Sequence, residues 1–294
     1  MTCASHYPSH ISDSISAMPG WITSARAETL EDAAFLSGAA LSHLHDVMGR
    51  AVVPCALMRD RLALRASEVR MTQSGRPERA GELRDAVLLL RPGDLPGPAG
   101  EVYLAWRRAV DRPLSPSSLH RALPDIGMDR IARSLNTGQG APMSRAAVVL
   151  EAVLAESPRA ESPALILADA VLARALGWDH LLPLLATGLS RADLRRRGGD
   201  LCLACHRAAM SAAGDAVRLA AELTRRAAYL RAVAPRLRAK GAEEAVQMFL
   251  TREAVAPAAL PLSDRAARRL CDRLIDLGAI RELTGRDTFR LYGV

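Results

Sequence analysis

Residues 263–294 read SDRAARRLCDRLIDLGAIRELTGRDTFRLYGV. Ser263 stands where a helix N-cap belongs, because a hydroxyl there accepts from the first free backbone amides. The run behind it places Ala267, Leu270, Cys271, Leu274 and Leu277 on one face at three- and four-residue steps. Arg265, Arg268, Arg269, Asp272 and Arg273 occupy the rest of the circumference. Gly278 follows at the left-handed position on which helices often stop. Two β-prone runs come next, AIREL at 279–283 and TFRLY at 288–292, and Gly285 in the short connection predicts a hairpin.

Upstream, AEEAVQMFL at 242–250 has the spacing of a short amphipathic helix. REAVAPAAL at 252–260 is expected to form a second, limited by Pro257. Three helices and a hairpin describe a winged helix-turn-helix. In that layout the third helix enters the major groove of double-stranded DNA, with its early exposed residues at base edges and phosphates. Ser263, Asp264, Arg265, Arg268, Arg269 and Arg273 are the expected contacts from the helix. Arg286 is the expected contact at the wing tip. The charge is modest for a DNA-binding unit, since residues 254–294 carry seven arginines and five acidic residues, a net of +2. A winged helix that docks a protein is therefore the competing expectation.

The rest of the chain predicts helices. Of 294 residues, 49% are hydrophobic and only 3% aromatic, so the core must be built from Ala, Leu and Val. Helical spacing begins near Thr29, resumes after Pro54 and again at 78–90, and is broken by the Pro- and Gly-rich residues 91–97. Further helical patterns cover 100–110, 144–156, 163–176 and a long Ala-rich stretch from about 202 to 234. The expected class is all-α with a small C-terminal winged helix-turn-helix carrying a two-stranded hairpin. The expected division is a loose tail at 1–25, a helical domain at 26–240 with a linker-like region at 111–143, and the winged helix at 241–294.

Net charge is +7, carried almost wholly by arginine, with Lys240 the single lysine; an acidic partner, nucleic acid first, fits that balance. Five scattered cysteines do not resemble a secreted disulfide framework, and the first residues show no signal-peptide pattern. A cytoplasmic, membrane-free location is expected. A homodimer or a protein partner bound through the helical domain is expected beside DNA.

Four other features invite chemistry. Cys202-Leu-Ala-Cys205-His206 has the spacing of covalent haem attachment, but it lies within the long helical pattern and lacks an export signal. Zinc there would need two further ligands. His43 and His45, with Asp46, point about 200° apart on a helix and cannot share one metal. A pocket uniting Glu82, Asp85 and Asp94 near Gly97 is the minimum for an enzyme. Asp169, in the apolar run ALILADAVLARALGW, needs a partner, and an ion pair from another helix is expected. No cofactor is expected.

The end of the chain, IRELTGRDTFRLYGV, resembles winged-helix domains of bacterial regulators and those attached to some Fic proteins. The Fic catalytic loop is missing, so AMP transfer is not implied. FLSGAAL, RLALRA, LRDAVLLLRPGDLPGPAG, LADAVLARALGW, LPLLATGL and SDRAARRLCDRL extend a resemblance over nearly the full length. It is to an alphaproteobacterial family, often plasmid-borne, known only as a domain of unknown function. That resemblance implies a helical front and a winged C-terminus, and no activity.

Overall fold

Thr29 starts the first long helix with reciprocal capping. Its Oγ1 accepts from the Asp32 amide at 3.1 Å, and the Asp32 carboxylate accepts from the Thr29 amide at 3.3 Å. This computed structural model describes residues 14–294 apart from 25, 92, 138, 238, 239 and 287. A one-turn helix α1 (Gly20–Thr23) precedes the capped helix α2 (Leu30–Met48). Pro54 stands before α3 (Cys55–Gln73), and Gly75 ends it with φ of +79°. Then come α4 (Ala80–Leu88) and α5 (Gly97–Asp111), separated by the Pro- and Gly-rich break. Region 111–143 holds α6 (Pro116–Ala122) and α7 (Met128–Leu135), which place Leu119, Ile131 and Leu135 fully in the core.

Next are α8 (Pro142–Glu156), α9 (Glu161–Ala175) and the short α10 (Leu184–Gly188). Every residue of α9 from Ala164 to Ala173 is buried, as expected for a helix apolar on all sides. The longest element is α11 (Gly198–Val233), whose 36 residues span roughly 54 Å at 1.5 Å per residue. It is the axis of the molecule: α2 lies along it, and α8 and α10 pack beside it. Its Ala-rich face permits close approach. A Cβ on Gly188 would stand 2.6 Å from the Ala208 carbonyl oxygen, so only glycine lets α10 cross there.

The C-terminal part comprises α12 (Ala242–Thr251), α13 (Asp264–Asp276), β1 (Arg281–Glu282) and β2 (Tyr292–Gly293). The strands pair antiparallel, with Arg281 opposite Gly293 and Glu282 opposite Tyr292. The hairpin is real but shorter than the β-prone runs suggested. A larger correction concerns REAVAPAAL, which is not a helix. Val255 exchanges backbone hydrogen bonds of 2.8 and 3.0 Å with Tyr292, so it extends as a third strand position. Pro257, without an N–H, opens only a 3₁₀ turn at Pro257–Ala259. Gly278 does end α13 as expected, with φ of +68° and the Ala279 amide reaching back to Leu274 at 2.9 Å. Ser263 has N-cap backbone geometry, yet its hydroxyl makes no capping bond, contrary to expectation.

One apolar core runs from Ile22 to Val294 and includes Phe249, Leu270 and Leu274 of the C-terminal part. Among the described residues, no helix is long and apolar enough to cross a membrane.

Candidate nucleic-acid interface

The helix α13 is strongly two-sided because its apolar residues fall at three- and four-residue steps. Ala267, Leu270, Cys271 and Leu274 are buried. Arg265, Arg268, Arg269 and Arg273 are all exposed. Directly opposite the buried seam lie Arg265 and Arg269 in the first half and Asp272 and Asp276 in the second. The outward face is thus cationic at its start and anionic at its end. Asp264 and Arg268 form an exposed i,i+4 pair at 2.9 Å. Arg265, Arg269 and Arg273 make no ion pair or side-chain hydrogen bond among the described residues. Arg265 stands in the first turn of the helix, where the macrodipole disfavours a cation.

Glu282 organises the hairpin connection. Its carboxylate accepts from the Thr284 amide at 2.7 Å, from the Gly285 amide at 2.9 Å, and from the Thr284 hydroxyl. Burial pushes this carboxyl up, but the hydrogen bonds together outweigh it and hold the group below the ordinary glutamate range. Arg286 is not a free wing-tip cation. Its Nη2 lies 2.5 Å from Asp85 Oδ2 on α4. Phe289 is 65% exposed and has φ of +55°, an uncommon value for a residue with a Cβ. Asp287, between them, lies outside the described residues.

A buried ionic network seats this unit on the front helices. Glu253 is 1% exposed. Its carboxylate accepts from Arg61 Nε of α3 and, at 3.2 Å, from Arg84 Nη2 of α4. The Glu253 amide donates to Asp60 Oδ2 at 3.0 Å, and Asp60 faces Arg107 Nε of α5 at 3.3 Å. Arg61 Nη2 also donates to the Val294 carbonyl at 3.2 Å. Gly293 fits beneath: a Cβ there would meet the Glu253 carbonyl oxygen at 2.7 Å. Sequence reasoning missed this cluster. Its only trace is a glutamate at the head of the apolar run Ala254-Val255-Ala256, and Asp60, Arg61 and Arg84 read as ordinary helix-surface charges.

The other singled-out residues are spread apart. His206 is buried, with Nδ1 2.7 Å from Ser37 Oγ of α2. Cys205 is buried and Cys202 half-buried. Burial lowers the His206 pKa and raises that of Cys205. His43 Nε2 faces the Ser16 carbonyl at 3.1 Å, while His45 Nδ1 accepts from Trp178 Nε1 at 2.8 Å, so the two histidines point to different neighbours. Glu82 accepts from the Arg79 amide at 2.7 Å, Asp94 from the Arg91 amide at 3.0 Å, and Asp85 is held by Arg286. Those three carboxylates serve separate local roles. Among the described residues, no group of three or more His, Cys, Asp or Glu could hold a metal ion.

Asp169 corrects the expected side-chain ion pair. Its partners are backbone amides at the start of α10: Leu185 at 2.8 Å and Ala186 at 3.3 Å. Burial pushes its carboxyl up to about 8, against the downward pull of those amides and of Arg70.

No curated protein matches this chain. A family model described as protein of unknown function (DUF1403) matches residues 8–294.

Proposed function

The chain belongs to that family of proteins of unknown function, and we propose that it binds double-stranded DNA through its C-terminal unit, a reduced winged helix-turn-helix. The observation that carries this reading is the pair Arg265 and Arg269. Both are open to solvent, neither has a partner among the described residues, and they share the side of α13 opposite its buried seam. A helix presenting two unpaired guanidinium groups near its start can enter a major groove and meet bases or phosphates. Arg268, Arg273, Asp264 and Ser263 flank them. The strand position at Val255, paired with Tyr292 beside β1, supports a winged arrangement in which the second helix is reduced to a 3₁₀ turn. We read the IRELTGRDTFRLYGV ending as this family's signature, and its alphaproteobacterial origin as part of the same proposal.

Arg286 has a different role in this reading from a wing-tip clamp. Its bond to Asp85 ties the hairpin connection to α4. The helical front would then supply the pairing of two copies on a duplex, or a surface for a regulatory partner. A second reading, docking of a protein on the hairpin, would use the exposed ring of Phe289, which has a left-handed backbone at the connection between the strands.

Fluorescence anisotropy with duplex DNA over a salt series tests the proposal. Affinity should fall steeply with salt, and the slope of log K against log salt should shrink by about 1 for each arginine removed from a phosphate. R265A/R269A should lose most of the binding. Absence of binding at low salt, or equal binding by that variant, would overturn the DNA reading.

A further inference from the structure

A second cationic feature lies away from the outer face of α13. The last third of α11 and the start of β1 enclose a cleft of about 330 Å³, lined by Arg225, Arg226, Tyr229, Ala279, Arg281 and Val294 among others. That volume is at the small end of the roughly 300–1,000 Å³ range of ligand pockets. Arg225 and Tyr229 are four apart on α11 and Arg226 and Tyr229 three apart, so all of them share one helix face.

The charges here are incompletely answered. Arg226 pairs with Glu222 at 2.6 Å. Arg225 and Arg281 make no ion pair among the described residues. Burial lowers the Arg281 pKa and the positive charges of Arg226 and Arg61 lower it further, against a smaller opposing pull from the Glu253 and Glu222 carboxylates. An anion seated in the cleft would meet the guanidinium groups of Arg225, Arg226 and Arg281 together. Tyr229 adds a different element. Its hydroxyl donates to the Leu277 carbonyl at 2.7 Å, which pins the side chain, yet the residue stays 50% exposed. The result is a fixed aromatic surface beside two unpaired guanidinium groups.

We propose that this cleft binds a nucleoside phosphate, free or as one unit of a nucleic-acid strand, with Arg225 and Arg281 on the phosphate and the Tyr229 ring stacked on the base. Guanidinium forks match phosphate oxygens, and aromatic rings accept any base on their faces. Arg265 and Arg269 do not line the cleft, so the site stands independently of duplex binding by α13.

Calorimetric titration of the full chain tests it with four probes: adenosine 5′-monophosphate, adenosine, inorganic phosphate and a short oligothymidylate. The monophosphate or the oligonucleotide should bind at least about tenfold more tightly than adenosine or phosphate alone. Preference for the monophosphate assigns a free nucleotide; preference for the oligonucleotide assigns a strand. R225A/R281A should weaken the preferred probe by about tenfold or more. Y229A should weaken it as well, while Y229F should retain binding because the ring remains. Thermal melting establishes that each variant is folded. R265A/R269A should bind as the unaltered chain does. Four results would each overturn the proposal: no heat with either nucleotide probe at millimolar concentration, phosphate binding as tightly as the monophosphate, wild-type binding by folded R225A/R281A, or loss of binding in R265A/R269A.

Discussion

Arg84 of α4 donates through Nη2 to the buried carboxylate of Glu253 at 3.2 Å, across 169 residues of chain. With Arg61 on the same carboxylate and Asp60 on the Glu253 amide, this contact makes the C-terminal unit part of the body of the molecule.

Glu253→Ala would leave two largely buried guanidinium groups without their carboxylate. Removing one partner of such a network typically costs about 3–5 kcal/mol. Urea denaturation followed by circular dichroism should show the transition moved well down in urea. A loss under about 0.5 kcal/mol would mean that water replaces the carboxylate at no real cost.

Asp169 should give the protein a pH-dependent stability of defined sign. Its folded pKa, about 8, lies above the ordinary aspartate value, so the folded state holds the proton more tightly. Its contribution is complete below the unfolded pKa and is lost as pH rises toward about 8. His206 acts in the opposite sense: its lowered pKa gives stability that is lost as pH falls below the unfolded histidine value. Asp169→Asn removes only the first effect. Melting temperatures between pH 5 and 9 should therefore fall less steeply with rising pH in the variant than in the unaltered chain. Parallel curves would contradict the assignment.

Gly188→Ala should be disproportionately harmful for the addition of one methyl group. The new Cβ would lie 2.6 Å from the Ala208 carbonyl oxygen and 2.8 Å from its Cα, both in the backbone of α11. Overpacking of this kind costs about 1–3 kcal/mol. A chemical melt should register that loss, whereas Gly199→Ala, where nothing lies within 4 Å, should show far less of it.

The Arg286–Asp85 bond should couple only weakly in stability. The arginine side chain is 53% exposed, and exposed pairs contribute up to about 1 kcal/mol, less in salt. A double-mutant cycle with R286A and D85A should give a coupling in that range. R286A should also reduce duplex affinity less than R265A/R269A does. A larger effect from R286A would return Arg286 to direct DNA contact.

Local periodicity and punctuation were legible in the residues. The apolar steps predicted α2, α3, α9, α11 and α13, and Gly278 marked the end of α13, because a helix buries a stripe set by its own 3.6-residue turn. The face of α13 that carries Arg265 and Arg269 was readable for the same reason. Other parts depended on partners distant in the chain. REAVAPAAL is extended because Tyr292 takes the hydrogen bonds of Val255, not because of its own propensities. Asp169 found backbone amides of α10 where a side-chain cation was expected. Arg286 meets Asp85, Glu253 meets Arg61 and Arg84, and Tyr229 comes to rest beside Arg281. The residues alone determined which segments are helical and which sides of them are apolar. Tertiary structure decided which charges are paired and which remain free, because ion pairing depends on distances between elements that sequence spacing does not encode.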